Sequence, residues 1–299
     1  MRPLALVART ELSRRPLRAP DRVAAHLYRR ATSGSRVLPS ALIIGAQKAG
    51  TTSLFNFLVR HPGVVAPASG IKELRYFDAA DRVEAWYRSH FPTAGEVGRV
   101  GDRLGFEPAV IEGTPYYLAH PCVPGRVKDL LPGAKLIACL REPIARAISH
   151  HRHNMRKGHD PIRSFGEAVR AEPGRLAGLE ERLLSGELAS SYAHQNYSYL
   201  ERGKYADQLS RWFDAFGPDR VRVVIAEEMF ADPAGAVRDL AGFLGIGEAD
   251  LGSFPESGRD PGAAASKGIE DAALRSELES YFAEPNARLA SMLGRSLPW

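Results

Sequence analysis

The chain alternates short, wholly apolar runs with longer stretches in which apolar residues return every three or four positions. The first pattern marks strands buried on both faces, the second helices with one apolar side. Residues 41–45 (Ala-Leu-Ile-Ile-Gly) predict a buried strand, followed by a glycine-containing turn and a helix over 52–60. His61-Pro62-Gly63 ends that helix, since proline cannot continue it and glycine tolerates the turn. A short strand is expected at 109–111 and a helix at 124–131, closed by Pro132-Gly133. Residues 135–140 form a second buried strand, apolar throughout from Leu136 to Leu140. Pro143 stands where the next helix begins, at a position where its missing N–H costs nothing, and that helix runs to about Lys157. A third strand is predicted at 221–225, and amphipathic helices at 237–244 and 274–282.

Strands alternating with helices imply crossover units. The expectation is an α/β, P-loop-like three-layer fold, with a central, mostly parallel sheet flanked by helices. There is no internal repeat. The simplest partition is a basic N-terminal arm over residues 1–36 and one domain over 37–299.

Composition refines this in two places. With 299 residues, 44% hydrophobic and 25% charged, the chain is of the ordinary globular class. Two cysteines, Cys122 and Cys139, exclude a disulfide framework and a four-thiolate zinc site. The apolar run Leu4–Ala8 is far shorter than the roughly 20 residues that span a bilayer, so a soluble, cytoplasmic chain is expected. The net charge of +5 is unevenly spread: residues 1–36 hold nine arginines and two acids, +7, which leaves −2 for the remainder. Basicity therefore belongs to the arm. A solvated extension is the plainer reading of it; a peripheral membrane contact is the partner it would suit, and no nucleic-acid partner is expected.

The most informative segment is Gly45-Ala46-Gln47-Lys48-Ala49-Gly50-Thr51-Thr52. A buried strand delivers a small-residue loop into a helix N-terminus, where unpaired N–H groups and the helix dipole favour an anion. Gly45 and Gly50 bracket four residues, as in a nucleotide-binding P-loop, but there the lysine follows the second glycine. Here Lys48 lies inside the loop, which predicts an anion site that meets a phosphate chain at a different point. A second candidate is Leu140-Arg141-Glu142-Pro143, a strand end entering a helix, with Arg141 on the carboxyl edge of the sheet and Ser149 two turns on. An arginine fork and a hydroxyl together grip one phosphate.

The loop Gly45–Leu54 resembles the 5′-phosphosulfate loop of sulfotransferases that use 3′-phosphoadenosine 5′-phosphosulfate (PAPS), most of all the heparan sulfate type of carbohydrate sulfotransferase. The resemblance runs from about residue 41 to the end. It implies that Lys48 contacts the phosphosulfate and the leaving oxygen, and that Ala49, Gly50, Thr51 and Thr52 hold the 5′-phosphate. Arg141 and Ser149 take the 3′-phosphate positions of that family, and Lys267-Gly268 its late loop that closes over the cofactor. Glu73, in Ile71-Lys72-Glu73-Leu74-Arg75-Tyr76-Phe77-Asp78, falls at the family's catalytic glutamate, with Lys72, Arg75 and Tyr116 beside the acceptor. Two departures stand out: relatives carry histidine at the position of Arg75, and lysine where Gly113 stands.

The implied activity is metal-independent, in-line transfer of a sulfuryl group from PAPS to a hydroxyl of a carbohydrate or glycolipid. Glu73 would act as general base and Lys48 would stabilise the leaving phosphate. Glu112 has two readings, a carboxylate orienting Lys48 or Arg141 and a purely structural one. His150, His151 and His153 read as a polar helix face near the acceptor cleft rather than a metal site. The rival functions are a P-loop kinase or NTPase, a sulfotransferase for small phenols or alcohols, and a non-catalytic binding module.

Overall fold

The computed structural model describes residues 19–79, 81–249, 251, 254 and 272–299. Five strands form one sheet: β1 (Ala41–Gly45), β2 (Val64–Val65), β3 (Ala109–Gly113), β4 (Lys135–Leu140) and β5 (Val221–Ile225). Their spatial order is β2-β3-β1-β4-β5, and every pairing is parallel, with Ala41 opposite Ile111 on one side and Lys135 on the other. Helices α1 (Ala19–Ala31), α2 (Thr51–Leu58), α3 (Glu84–Arg88), α4 (Ala94–Leu104) and α5 (Val123–Leu130) belong to the first half. The second half adds α6 (Pro143–Lys157), α7 (Phe165–Leu176), α8 (Leu179–Leu184), α9 (Tyr192–Tyr197) and α10 (Tyr205–Phe216). The chain continues with α11 (Ala226–Ala231), α12 (Pro233–Leu244) and α13 (Ala272–Leu293).

The central strands are buried on both faces because their residues alternate between two cores. Leu42, Ile44, Leu136, Ala138 and Leu140 pack against α5, α10 and the aromatic side chains Tyr87 and Phe91. Ala41, Ile43, Ile137 and Cys139 pack the other way, against α2, α11 and α12. This is the expected three-layer α/β arrangement. A satellite core joins α6, α7 and α13 through Ile148, Val169, Leu278 and Phe282. Within the basic segment, α1 is helical and Arg36 is buried, donating from Nε to Thr32 Oγ1 (3.0 Å) and bridging to Thr93.

Strands β4 and β5 and helix α6 coincide with the predicted ranges, whereas β2 was absent from the prediction: two valines have no periodicity to read. Helix α6 is capped by Glu142, whose carboxylate accepts from the N–H groups of Ile144 (2.8 Å) and Ala145 (2.6 Å). The expected short strand at 109–111 extends to Gly113, because Glu112 is kept in the sheet by a set of hydroxyls.

Glu112 is wholly buried and accepts hydrogen bonds from Thr114 Oγ1 (2.5 Å), Tyr87 Oη (2.6 Å) and Tyr117 Oη (3.1 Å). Those hydroxyls reach onward: Tyr117 Oη accepts from the N–H of Tyr76 (2.9 Å), and Thr114 Oγ1 from that of Arg75 (3.1 Å). One carboxylate thus ties the end of β3 to α3 and to the loop carrying Glu73, and neither Lys48 nor Arg141 is among its hydrogen-bond partners.

Burial pushes the Glu112 carboxyl up to about 7, against the pull of its three hydroxyl donors. In the unfolded chain this group ionises near its ordinary value of 4.5. The folded state therefore holds the proton more tightly, and the associated stability is full below about 4.5 and lost as pH rises through about 7. Urea unfolding of wild type and Glu112→Gln over this range should show wild type losing stability relative to the variant as pH rises. Parallel pH curves for the two proteins would contradict the assignment.

Candidate active site

Strand β1 carries the chain to the carboxyl edge of the sheet at its centre, where β3 leaves on one side and β4 on the other. That is the switch point at which open α/β sheets present a ligand crevice. The loop from Ala46 to Gly50 is anchored by the Ala46 N–H to Cys139 O (2.6 Å) and closed by the Ala49 N–H to Ala46 O (3.1 Å). Gly50 caps α2 with φ +88°, and a Cβ there would lie 3.1 Å from the Phe230 ring, so glycine is required. Lys48 has φ +70°, a left-handed conformation that a lysine keeps only when its surroundings impose it.

The surroundings that impose it are arginines. Arg141 Nη1 donates to Lys48 O (3.4 Å), Arg146 Nη1 to Gln47 O (3.4 Å), and Arg202 Nη1 to Gln47 Oε1. All three arginines are buried. With its carbonyls turned to the guanidinium groups, the loop adds no negative dipole to the anion side, where the first amides of α2 have no partner within the helix.

A cavity of about 350 Å³ opens over this loop. It is lined by Lys48, Gly50, Thr51 and Thr52 of the loop, by Arg141 and Ser149, and by Glu73, Arg75 and Tyr116. The two predicted anion-binding segments, 93 residues apart in sequence, therefore share one space. Ala49 lies beneath it, fully buried. Lys267 and Gly268 fall outside the described residues.

Lys72 takes a position that the sequence did not suggest. Its ammonium donates to Thr51 Oγ1 (3.4 Å), Thr52 Oγ1 (3.3 Å) and Glu73 Oε1 (3.4 Å), so it reaches the N-terminus of α2 as well as its sequence neighbour. Its stem crosses Gly113, where an added Cβ would lie 3.0 Å from Lys72 Cε. A side chain at position 113 would press on the Lys72 stem, and Lys72 itself brings a cation over that position from the neighbouring loop. Burial holds both lysines below the ordinary range, Lys48 further so through Arg156 and Arg141, while Glu73 opposes the shift in each.

Arg75, at φ +55°, is fixed by its N–H to Thr114 and by a fork onto Asp78 Oδ2 (2.9 and 2.6 Å). The Asp78 carboxyl lies above its ordinary range because burial outweighs the attraction of Arg75. Tyr116 is covered by Arg202 at 4.6 Å and Arg75 at 5.9 Å from its ring centre, and its hydroxyl meets His194 Nδ1 at 2.7 Å. Of the three clustered histidines, His153 lines the cavity, His150 is buried against Tyr199 (5.0 Å between rings), and His151 Nε2 contacts Ile162 O at 2.8 Å. Sequence reasoning missed Gln47, Arg146, Gln195 and Arg202. Arg202 sits in a Glu-Arg-Gly turn and Arg146 within α6, and only the three-dimensional path of the loop singles them out.

Comparison with known proteins places this architecture. The model of the sulfotransferase domain matches residues 38–253. Human heparan sulfate glucosamine 3-O-sulfotransferase 3B1 is 32% identical over 215 residues, 72% of this chain and 48% of the relative. Human bifunctional heparan sulfate N-deacetylase/N-sulfotransferase 3 is 29% identical over 293 residues, covering 87% of this chain and 31% of the relative. The chain thus spans about half, or less, of the length of these curated relatives. A crystal structure of a sulfotransferase from Alicyclobacillus acidocaldarius superposes with a TM-score of 0.61 at 30% identity, over 87% of this chain and 98% of that one. A domain model over most of the chain, relatives at this identity and a matching solved fold agree: the protein belongs to the sulfotransferase family.

Proposed function

We propose that the protein transfers a sulfuryl group from PAPS to a hydroxyl of a carbohydrate or glycolipid acceptor, with Glu73 as general base. The observation that carries this reading is the convergence of Lys48, Arg141 and the N-terminus of α2 on one cavity that also holds Glu73. The donor set suits a nucleotide phosphorylated at both ends of its ribose: a lysine-bearing loop, a helix N-terminus with two hydroxyls, and a separate guanidinium with a serine. Bound there, PAPS supplies the activated sulfuryl group.

Each residue then has a task. The amides and hydroxyls at Gly50, Thr51 and Thr52 bind the 5′-phosphate, and Arg141 with Ser149 binds the 3′-phosphate. The Lys48 ammonium neutralises the charge that builds on the leaving phosphate oxygen, assisted by Lys72 above the same hydroxyls. These fixed cations supply the neutralisation that metal ions give in phosphoryl transfer. Glu73 is half-exposed at the cavity and takes the proton of the acceptor hydroxyl as it attacks. Arg75 and Tyr116 border the acceptor. The names of the curated relatives support a sugar acceptor, and Tyr116 offers an aromatic face beside two guanidinium groups.

Calorimetric titration should show adenosine 3′,5′-bisphosphate binding at least about tenfold more tightly than ATP, and Arg141→Ala should erase that preference, since a lost charge pair costs ~2–5 kcal/mol. Equal affinity for the two nucleotides would refute the assignment. In a sulfuryl-transfer assay on oligosaccharide acceptors, Lys48→Ala should lower kcat by ~10²–10³. Glu73→Gln should lower it by ~10²–10⁴ while leaving bisphosphate binding unchanged. Full activity in either variant would remove it from its role.

A further inference from the structure

Helix α1 is turned the wrong way for a helix of a water-soluble protein. Its half-buried side is Ala25, His26 and Arg29, and the charges of His26 and Arg29 act on the buried His90 beneath. Its outward side is apolar: Val23 is 60%, Leu27 60% and Tyr28 62% exposed. At 100° per residue, these three with Ala24 and Ala31 span an arc of roughly 140°, edged by the exposed Arg30. An amphipathic helix packed on a core puts that arc inward. Here the polar side faces the protein and the apolar side faces out.

We propose that this outward face of α1 docks on an anionic lipid bilayer. Two features select that occupant. The face is apolar, which a bilayer interface accommodates and a nucleic acid does not. The segment that bears it has the sign of charge an anionic leaflet attracts, since residues 1–36 carry +7 while the remaining chain carries −2. Neither feature suffices for stable attachment alone, but modest apolar insertion combined with basic charge does.

Docking has a consequence for the catalytic cavity. Arg82 donates to Leu74 O and, at 3.1 Å, to Arg75 O, which ties α3 to the Glu73 loop. The Arg82 guanidinium lies 4.5 Å from the centre of the Trp86 ring, and that ring is 4.5 Å from His90, which senses α1. His90, Trp86 and Arg82 therefore form a chain of side chains that runs from beneath α1 to the carbonyls of Leu74 and Arg75. The docking itself does not depend on the acceptor being a lipid.

The test is sedimentation of the full chain with vesicles of phosphatidylcholine alone or with about 30% phosphatidylglycerol. Binding to the anionic vesicles should exceed binding to neutral ones at least about tenfold and should fall sharply between about 0.1 M and about 0.5 M salt. Val23→Glu with Leu27→Glu should lower anionic-vesicle binding at least about tenfold. The double variant should leave adenosine 3′,5′-bisphosphate affinity unchanged, which separates lost docking from misfolding and from failure of the nucleotide site. Arg30→Glu should weaken vesicle binding without abolishing it. The proposal is overturned if wild type ignores both vesicle types, or if the double variant binds as wild type does. It is equally overturned if light scattering shows the variant turning a dimer into monomers with vesicle binding intact, which would give the face to a second copy. Salt-sensitive binding to duplex DNA that needs Val23 and Leu27, without vesicle binding, would also overturn it.

Discussion

The structure depends on where the carbonyls of Gln47 and Lys48 point. A loop that binds a polyanion must direct its amides and its lysine one way, and its carbonyls must then go the other way, into the protein. A buried carbonyl needs a donor. Arg141 and Arg146 are those donors, and both stand on the segment that leaves β4 beside β1. The left-handed Lys48 is stable because the guanidinium groups take its carbonyl and that of its neighbour. Arg141 consequently has two places in the structure: its Nη1 holds the Lys48 carbonyl, and the residue also lines the cavity.

The acceptor side is built on a different principle. There the holding group is a buried carboxyl: Glu112 gathers three hydroxyls, and two of them hold backbone N–H groups of the 75–76 segment. A carboxylate with no solvent is stable only when its donors surround it, and α3 supplies one through Tyr87. Glu73, three residues before Tyr76, inherits its place from this network although it touches none of it. The buried cations sit under the 47–48 turn, and the buried Glu112 carboxyl sits under the 75–76 segment. Lys72 crosses between them, with its stem over Gly113 and its ammonium on Thr51 and Thr52.

Much of the frame was legible. Strands β1 and β4 could be read to the residue because their apolar runs are uninterrupted, β5 because a single arginine breaks an otherwise apolar run, and α6 because a proline marks its start. The turn between β1 and α2 was legible from the residue types and order of Gly45–Thr52. Less legible were α1, taken for part of a solvated arm, and β2, too short to show a period. Lys72 shows the same limit: its nearness to Glu73 follows from sequence adjacency and holds in the structure, whereas its reach to Thr51 and Thr52 depends on how two loops cross. Arg146 and Arg202 gave no signal at all, since an arginine in a helix or turn looks the same whether it holds a loop or meets water.

By itself the sequence determined the four longer strands, where a small-residue turn enters a helix N-terminus, and which residue types are available around it. Those properties are local: periodicity, capping and loop composition act within a dozen residues. Only the tertiary structure decided that Lys48, Glu73 and Arg141 belong to one cavity. The strand order β2-β3-β1-β4-β5 sets β1 between strands that arrive much later in the chain, so their carboxyl ends converge where the sequence keeps them far apart. It also decided that the apolar side of α1 faces outward, because that depends on which of its two faces meets the buried His90.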